Sequence, residues 1–187
     1  MIKEWLIKWW ANKCDDAEFT FPAALRSARR ILVLMPLDLE ELHQSEFFLS
    51  RLPQAFPGAK VTLLYPPKSL APRFYNPYGF TALVPEASHV GPFGMPKRKF
   101  LDQLFEQPFD VMIALNRQPT VFFAGVAMSS HTPARIGLPG GMGRPFVTIE
   151  LRHGRESADT KTEYILFVEM LRKLAAPPPA AAPTPTA

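Results

Sequence analysis

Ile31-Leu32-Val33-Leu34-Met35, closed by Pro36, is an unbroken apolar run of strand length. A strand covered on both faces needs no polar alternation, so a run of this kind marks the centre of a parallel sheet. Immediately after it, Asp38-Leu39-Glu40-Glu41 has the Asp-x-x-Glu form of a capping box. It opens a predicted helix that carries Leu42, Phe47, Phe48, Leu49 and Leu52 to about Phe56. Pro57-Gly58 stops that helix, and Lys60-Val61-Thr62-Leu63-Leu64-Tyr65 reads as a second strand. Strand, helix, strand is one crossover unit.

The same alternation continues. Strands are predicted at 80–84, 109–115, 134–138 and 146–151, and helices at 99–107, about 120–130 and 160–174, with loops rich in Pro and aromatics at 66–78 and 85–96. The reading is an α/β chain with a doubly wound, mostly parallel sheet of about six strands over residues 30–174. Before it, residues 1–29 hold a short amphipathic helix and a link, with Ile2, Trp5, Leu6, Trp9 and Trp10 at helical spacing. After it, residues 175–187 contain only Ala, Pro and Thr, a composition with nothing to bury and an expectation of disorder.

With 187 residues, 47% hydrophobic and 20% charged, the chain has the balance of one globular domain and no room for a second of similar size. Its single cysteine, Cys14, excludes an internal disulfide, and neither it nor His43, His89, His131 and His153 shows the spacing of a metal site. No metal and no cofactor is expected. No apolar run reaches membrane-spanning length, and charges interrupt Met1-Ile2-Lys3-Glu4-Trp5 where a signal peptide would be apolar. The expected location is the cytoplasm, with the inner face of the membrane as a second option. The net charge is +4, but Lys and Arg are scattered, so a solvated basic face is expected and no specific nucleic acid.

Four segments in order, Ile31-Leu32-Val33-Leu34, Phe56 to Leu64, Phe109 to Leu115 and Ala134-Arg135-Ile136-Gly137, resemble the N-terminal, acceptor-side domain of the ADP-heptose:lipopolysaccharide heptosyltransferases. The resemblance covers roughly residues 30–151. It implies a Rossmann-like domain of the GT-B type, whose nucleotide sugar is held by a separate C-terminal half that a chain of this length does not include. Members have a Gly-Asp step after the first strand, with the Asp as catalytic base. Here the chain reads Met35-Pro36-Leu37-Asp38, so the Asp stands near its place without its Gly. Asp38 has two readings: helix cap, the favoured one, and catalytic base.

In open parallel sheets, ligands bind beyond the carboxyl ends of the strands. The segments expected there bring together Asp38, Tyr65, Lys68, Arg73, His89, Asn116, Arg117, Gln118 and the turn from Gly140 to Arg144, a polar and net positive set suited to a phosphate or an acidic sugar. Gly140, Gly141 and Arg144 have the composition of a phosphate cradle, although no helix opens after them and a strand-to-strand turn is the favoured reading. Ser129-Ser130-His131 reads as a helix terminus. Trp5, Trp9 and Trp10 mark a surface for a protein partner or, through Trp beside Lys, for peripheral membrane contact. The functional expectation is a binding or scaffold module working through a protein partner or a second copy of itself. The alternative is a subunit of a split or degenerate glycosyltransferase acting on lipid-linked sugar.

Overall fold

The computed structural model describes residues 21–67, 69, 78–152 and 159–177. The expected Trp-bearing helix, Lys68, Arg73, Cys14 and the end of the Ala/Pro tail lie outside them. β1 (Arg30–Leu34) is the central strand, flanked by β2 (Lys60–Leu64) and β4 (Val111–Ala114). β3 (Thr81–Leu83) lies beyond β2, and β5 (Ala134–Gly137) and β6 (Ile149–Glu150) lie beyond β4. The six strands run in the order β3-β2-β1-β4-β5-β6, and every neighbouring pair is parallel.

The apolar run sits here because its side chains alternate between two cores. Ile31, Val33 and Met35 face the first, Leu32 and Leu34 face the second, and none is more than 1% exposed. Burial of each such side chain contributes about 1.5–3 kcal/mol relative to exposure. At the start of the strand, Asp110 Oδ2 accepts from the amides of Arg29 (2.7 Å) and Arg30 (2.9 Å), pinning β1 to β4.

The first core is covered by α1 (Ala23–Arg26), α2 (Leu39–Gln44), α3 (Glu46–Leu49), α4 (Leu52–Ala55) and the long α7 (Thr160–Ala175). Phe48 stacks on Phe167 at 5.6 Å between ring centres. The second core is covered by α5 (Arg98–Leu104) and α6 (Val121–Ser129), where Phe100 meets Phe122 at 5.5 Å. α6 is apolar on every side and buried from Val121 through Ala127, and Thr120 caps it by accepting from Phe123 N.

Two predicted elements and one boundary differ most. The helix expected from Asp38 to about Phe56 is three short ones, because Ser45 and Ser50 turn their hydroxyls onto the carbonyls of Leu42 and Phe47, and Pro53 has no amide to continue the ladder. The sixth strand keeps only Ile149–Glu150 of 146–151. Val147 N bonds to Gly143 O in a turn, and Phe146 and Val147 are consumed by the second core. The packed unit also begins upstream of residue 30: Leu25 and Ala28 belong to the first core.

Candidate functional site

The strand order reverses between β1 and β4, so the chain leaves these neighbours in diverging directions and opens a crevice at their carboxyl ends. Leu37 and Asp38 enter it from the turn after β1, Glu41 from the first turn of α2, and Arg117 and Gln118 from the segment after β4, around a volume of about 270 Å³. Beside it Asn116 is 1% exposed; its Nδ2 donates to Gln118 O at 3.1 Å, while its buried Oδ1 has no hydrogen-bond partner.

Asp38 is the N-cap of α2. Its Oδ1 accepts from the amides of Glu40 (2.8 Å) and Glu41 (3.2 Å), satisfying donors that the first turn of a helix leaves open. The expected capping box is therefore half formed. The carboxylate of Glu41 turns to Arg117 instead, with Oε1 3.8 Å from Nε, and on its other side the Arg117 guanidinium is ion-paired and hydrogen-bonded to Glu163 of α7. The pair with Glu41 lies beyond direct hydrogen-bond reach, and Arg117 Nε has no other partner. Burial raises the Glu41 carboxyl above its ordinary value; Arg117 pulls it back down and the Asp38 charge pushes it further up.

These contacts change the electrostatic reading. Among the described lining residues two carboxylates face one guanidinium, and Glu163 adds a third acid next to it, so this part of the crevice is acidic. Its cation is already neutralised. Tyr65 is 4% exposed and packs in the first core, and His89 accepts from Glu86 N and lies 5.1 Å from the Phe100 ring, away from the crevice. Gly141 does approach: a methyl group there would stand 3.1 Å from Asn116 O and 3.2 Å from Leu138 O, and its amide donates to Leu138 O. That amide is engaged in the turn instead of being offered to a phosphate. Gly140 takes φ +71° and, like Arg144, is exposed. Ser130 Oγ accepts from Thr132 N, closing the end of α6. Glu163, which sequence reasoning missed, carries no local signal beyond its place in the first turn of the last helix.

No protein-family model matches the chain, and no curated protein sequence does. Solved structures do. A family 9 glycosyl transferase from Veillonella parvula superposes with a TM-score of 0.57 at 20% identity over 84% of this chain and 43% of that one. The chain is built like part of a glycosyltransferase. E. coli heptosyltransferase WaaC with ADP gives 0.52 at 14% identity (78% and 46% of the two chains), and E. coli ADP-heptose lps heptosyltransferase II gives 0.53 at 19% (74% and 40%). The chain thus spans less than half the length of each. At these identities the likeness establishes a heptosyltransferase-like, Rossmann-like α/β fold of the GT-B kind, and nothing finer. Among the described residues no helix is long and apolar enough to cross a membrane.

Proposed function

We propose that this chain is a non-catalytic binding or scaffold module with the fold of a glycosyltransferase acceptor domain, acting through protein partners. The observation that carries the reading is the internal pairing of the crevice. One oxygen of Asp38 is held by two α2 amides, and Arg117 is held by Glu41 and Glu163. A transferase acting on an anionic sugar needs an available base and an available cation at that place. Apolar side chains for a partner are present: Leu37 is 48% exposed, Leu39 77% and Phe93 59%, and Trp5, Trp9 and Trp10 of the N-terminal segment add aromatic area of the kind interfaces use. The test is affinity purification from the native cell with the full chain and with residues 1–13 removed, beside a donor-turnover assay with ADP-heptose. A stoichiometric partner lost on truncation, with no turnover, is the expected result. Turnover by the chain alone would overturn the reading.

A second reading is favoured by the position of the crevice at the strand reversal. In it the chain is the acceptor-side part of a split glycosyltransferase acting on lipid-linked sugar. Co-purification of a donor-binding half, with sugar transfer by the pair, is the outcome that would select it.

A further inference from the structure

A second groove, of about 310 Å³, lies at the opposite end of the strands from the crevice, on the side of the sheet covered by α5. Its floor follows from strand alternation. Arg30 shares a face with Leu32 and Leu34, Lys60 and Thr62 share one with Leu64, and Thr81 shares one with Leu83, all of them turned to the second core. Pairing register then sets Arg30 beside Lys60 and Thr62 beside Thr81.

Two cations are therefore adjacent on neighbouring strands. Like charges in such positions repel and weaken the pairing unless something lies between them. No carboxylate of the described residues forms an ion pair with either, and Glu106, the one acid among the described residues that line the groove, makes none with them. The Arg30 guanidinium is held 5.4 Å from the centre of the Phe109 ring, which orients it, and its buried Nε has no hydrogen-bond partner. A buried donor without an acceptor costs about 1–3 kcal/mol. The arrangement thus offers an oriented guanidinium, an exposed ammonium and two hydroxyls on three neighbouring strands.

We propose that this groove binds a phosphate group, with Arg30 and Lys60 neutralising it and Thr62 and Thr81 donating to its oxygens. Arg supplies the directed fork and Lys the mobile point charge that phosphate sites combine. The volume stands at the small end of ligand pockets, with space beside the phosphate for the group that carries it. The site is independent of the crevice and of the function proposed above.

The test uses the full chain with inorganic phosphate and with glycerol 3-phosphate as probes, read by thermal unfolding and by amide chemical shifts. Saturable binding is expected, with shifts centred on Arg30, Lys60, Thr62 and Thr81. The melting temperature should rise by about 3–6 °C at tenfold excess over Kd. Lys60→Met removes one of two repelling charges at an exposed position. It should be no less stable without phosphate, yet bind it at least about tenfold more weakly, in line with the loss of one charge-assisted contact. Lys173→Met, at an exposed position on α7, should bind normally. Tighter binding of glycerol 3-phosphate would identify a phosphate ester as the ligand and equal binding would identify free phosphate; both support the site. Stabilisation that Lys60→Met retains, that Lys173→Met equally loses, or that sodium chloride of matched ionic strength reproduces would overturn it.

Discussion

The hydroxyl of Tyr164 donates to the carbonyl oxygen of Leu115 across 3.1 Å, tying the last helix to the residue just past β4 at a fully buried point. Tyr164→Phe keeps the ring and leaves that carbonyl unpaired, which should lower stability by about 1–2 kcal/mol. In a domain of this size that is a fall in melting temperature of about 2–8 °C, measurable by calorimetry or urea titration.

The same hydroxyl predicts an alkaline limit. Burial, first of all, and then the Glu41 charge push Tyr164 above the ordinary tyrosine value, with Arg117 opposing; burial and the Glu46 charge raise Tyr65 as well. Both folded-state values exceed the unfolded one, so the stability they contribute is complete below about pH 10 and is lost as pH rises through the folded values. Urea titrations from pH 8 upward should show stability declining beyond about pH 10 in the native chain and declining less in Tyr164→Phe. Equal slopes in the two would contradict the assignment.

Arg117 holds the crevice together electrostatically. Arg117→Met leaves Glu41 and Glu163 facing each other without their cation and should cost about 1–2 kcal/mol at neutral pH. The figure is below that of a fully buried pair because the Arg117 side chain is 36% exposed. Without Arg117 the Glu41 carboxyl rises further, so the variant keeps stability at low pH and loses it as pH climbs through that raised value. The gap between variant and native chain should therefore be narrow near pH 4.5 and wide at pH 7.

How legible all this is from the sequence depends on what sets each feature. β1 and β4 are readable because two-sided burial writes itself as uninterrupted apolar runs, β2 and β5 because short apolar stretches broken by Thr62 and Arg135 stand between turn residues, and the cap at Asp38 because capping is local. The division of the helix after Asp38 was carried by Ser45, Ser50 and Pro53, whose effects an apolar count does not register. Strand order sets the segments after β1 and β4 beside the crevice, but the pairing of their charges is not legible from it. Whether Arg117 is available depends on Glu163, 46 positions away on another element, and periodicity carries no such pairing.

Gly137 tests the packing of the second core. A methyl group there would stand 2.9 Å from a Val147 methyl carbon, and Val147 is 1% exposed. Gly137→Ala should destabilise by about 1–3 kcal/mol through overpacking, and adding Val147→Ala should recover part of the loss. Additive losses in the double-mutant cycle would show that the two positions do not compete for the same space.

Asp38 allows cap and base to be separated. Asp38→Ser retains a side-chain acceptor for the α2 amides and removes the carboxylate, so melting should change by no more than about 0.5 kcal/mol equivalent, whereas Asp38→Ala should lose about 1 kcal/mol. Under the module reading, partner binding survives in Asp38→Ser. Under the split-enzyme reading, sugar transfer by the reconstituted pair falls by at least about a hundredfold, as expected for loss of a general base.

Arg26 Nε donates to the carbonyl oxygen of Ala176 at 2.9 Å, 150 positions along the chain, and Phe167, Val168 and Leu171 of the same late helix complete the first core. During synthesis this imposes an order. The side of β1 carrying Leu32 and Leu34 finds α5 and α6 once about two-thirds of the chain has emerged, but the side carrying Ile31, Val33 and Met35 has only the short α1 to α4 against it until α7 has cleared the ribosome. A nascent chain paused between those two moments presents a first core still lacking its longest helix, the species most exposed to chaperone capture or aggregation.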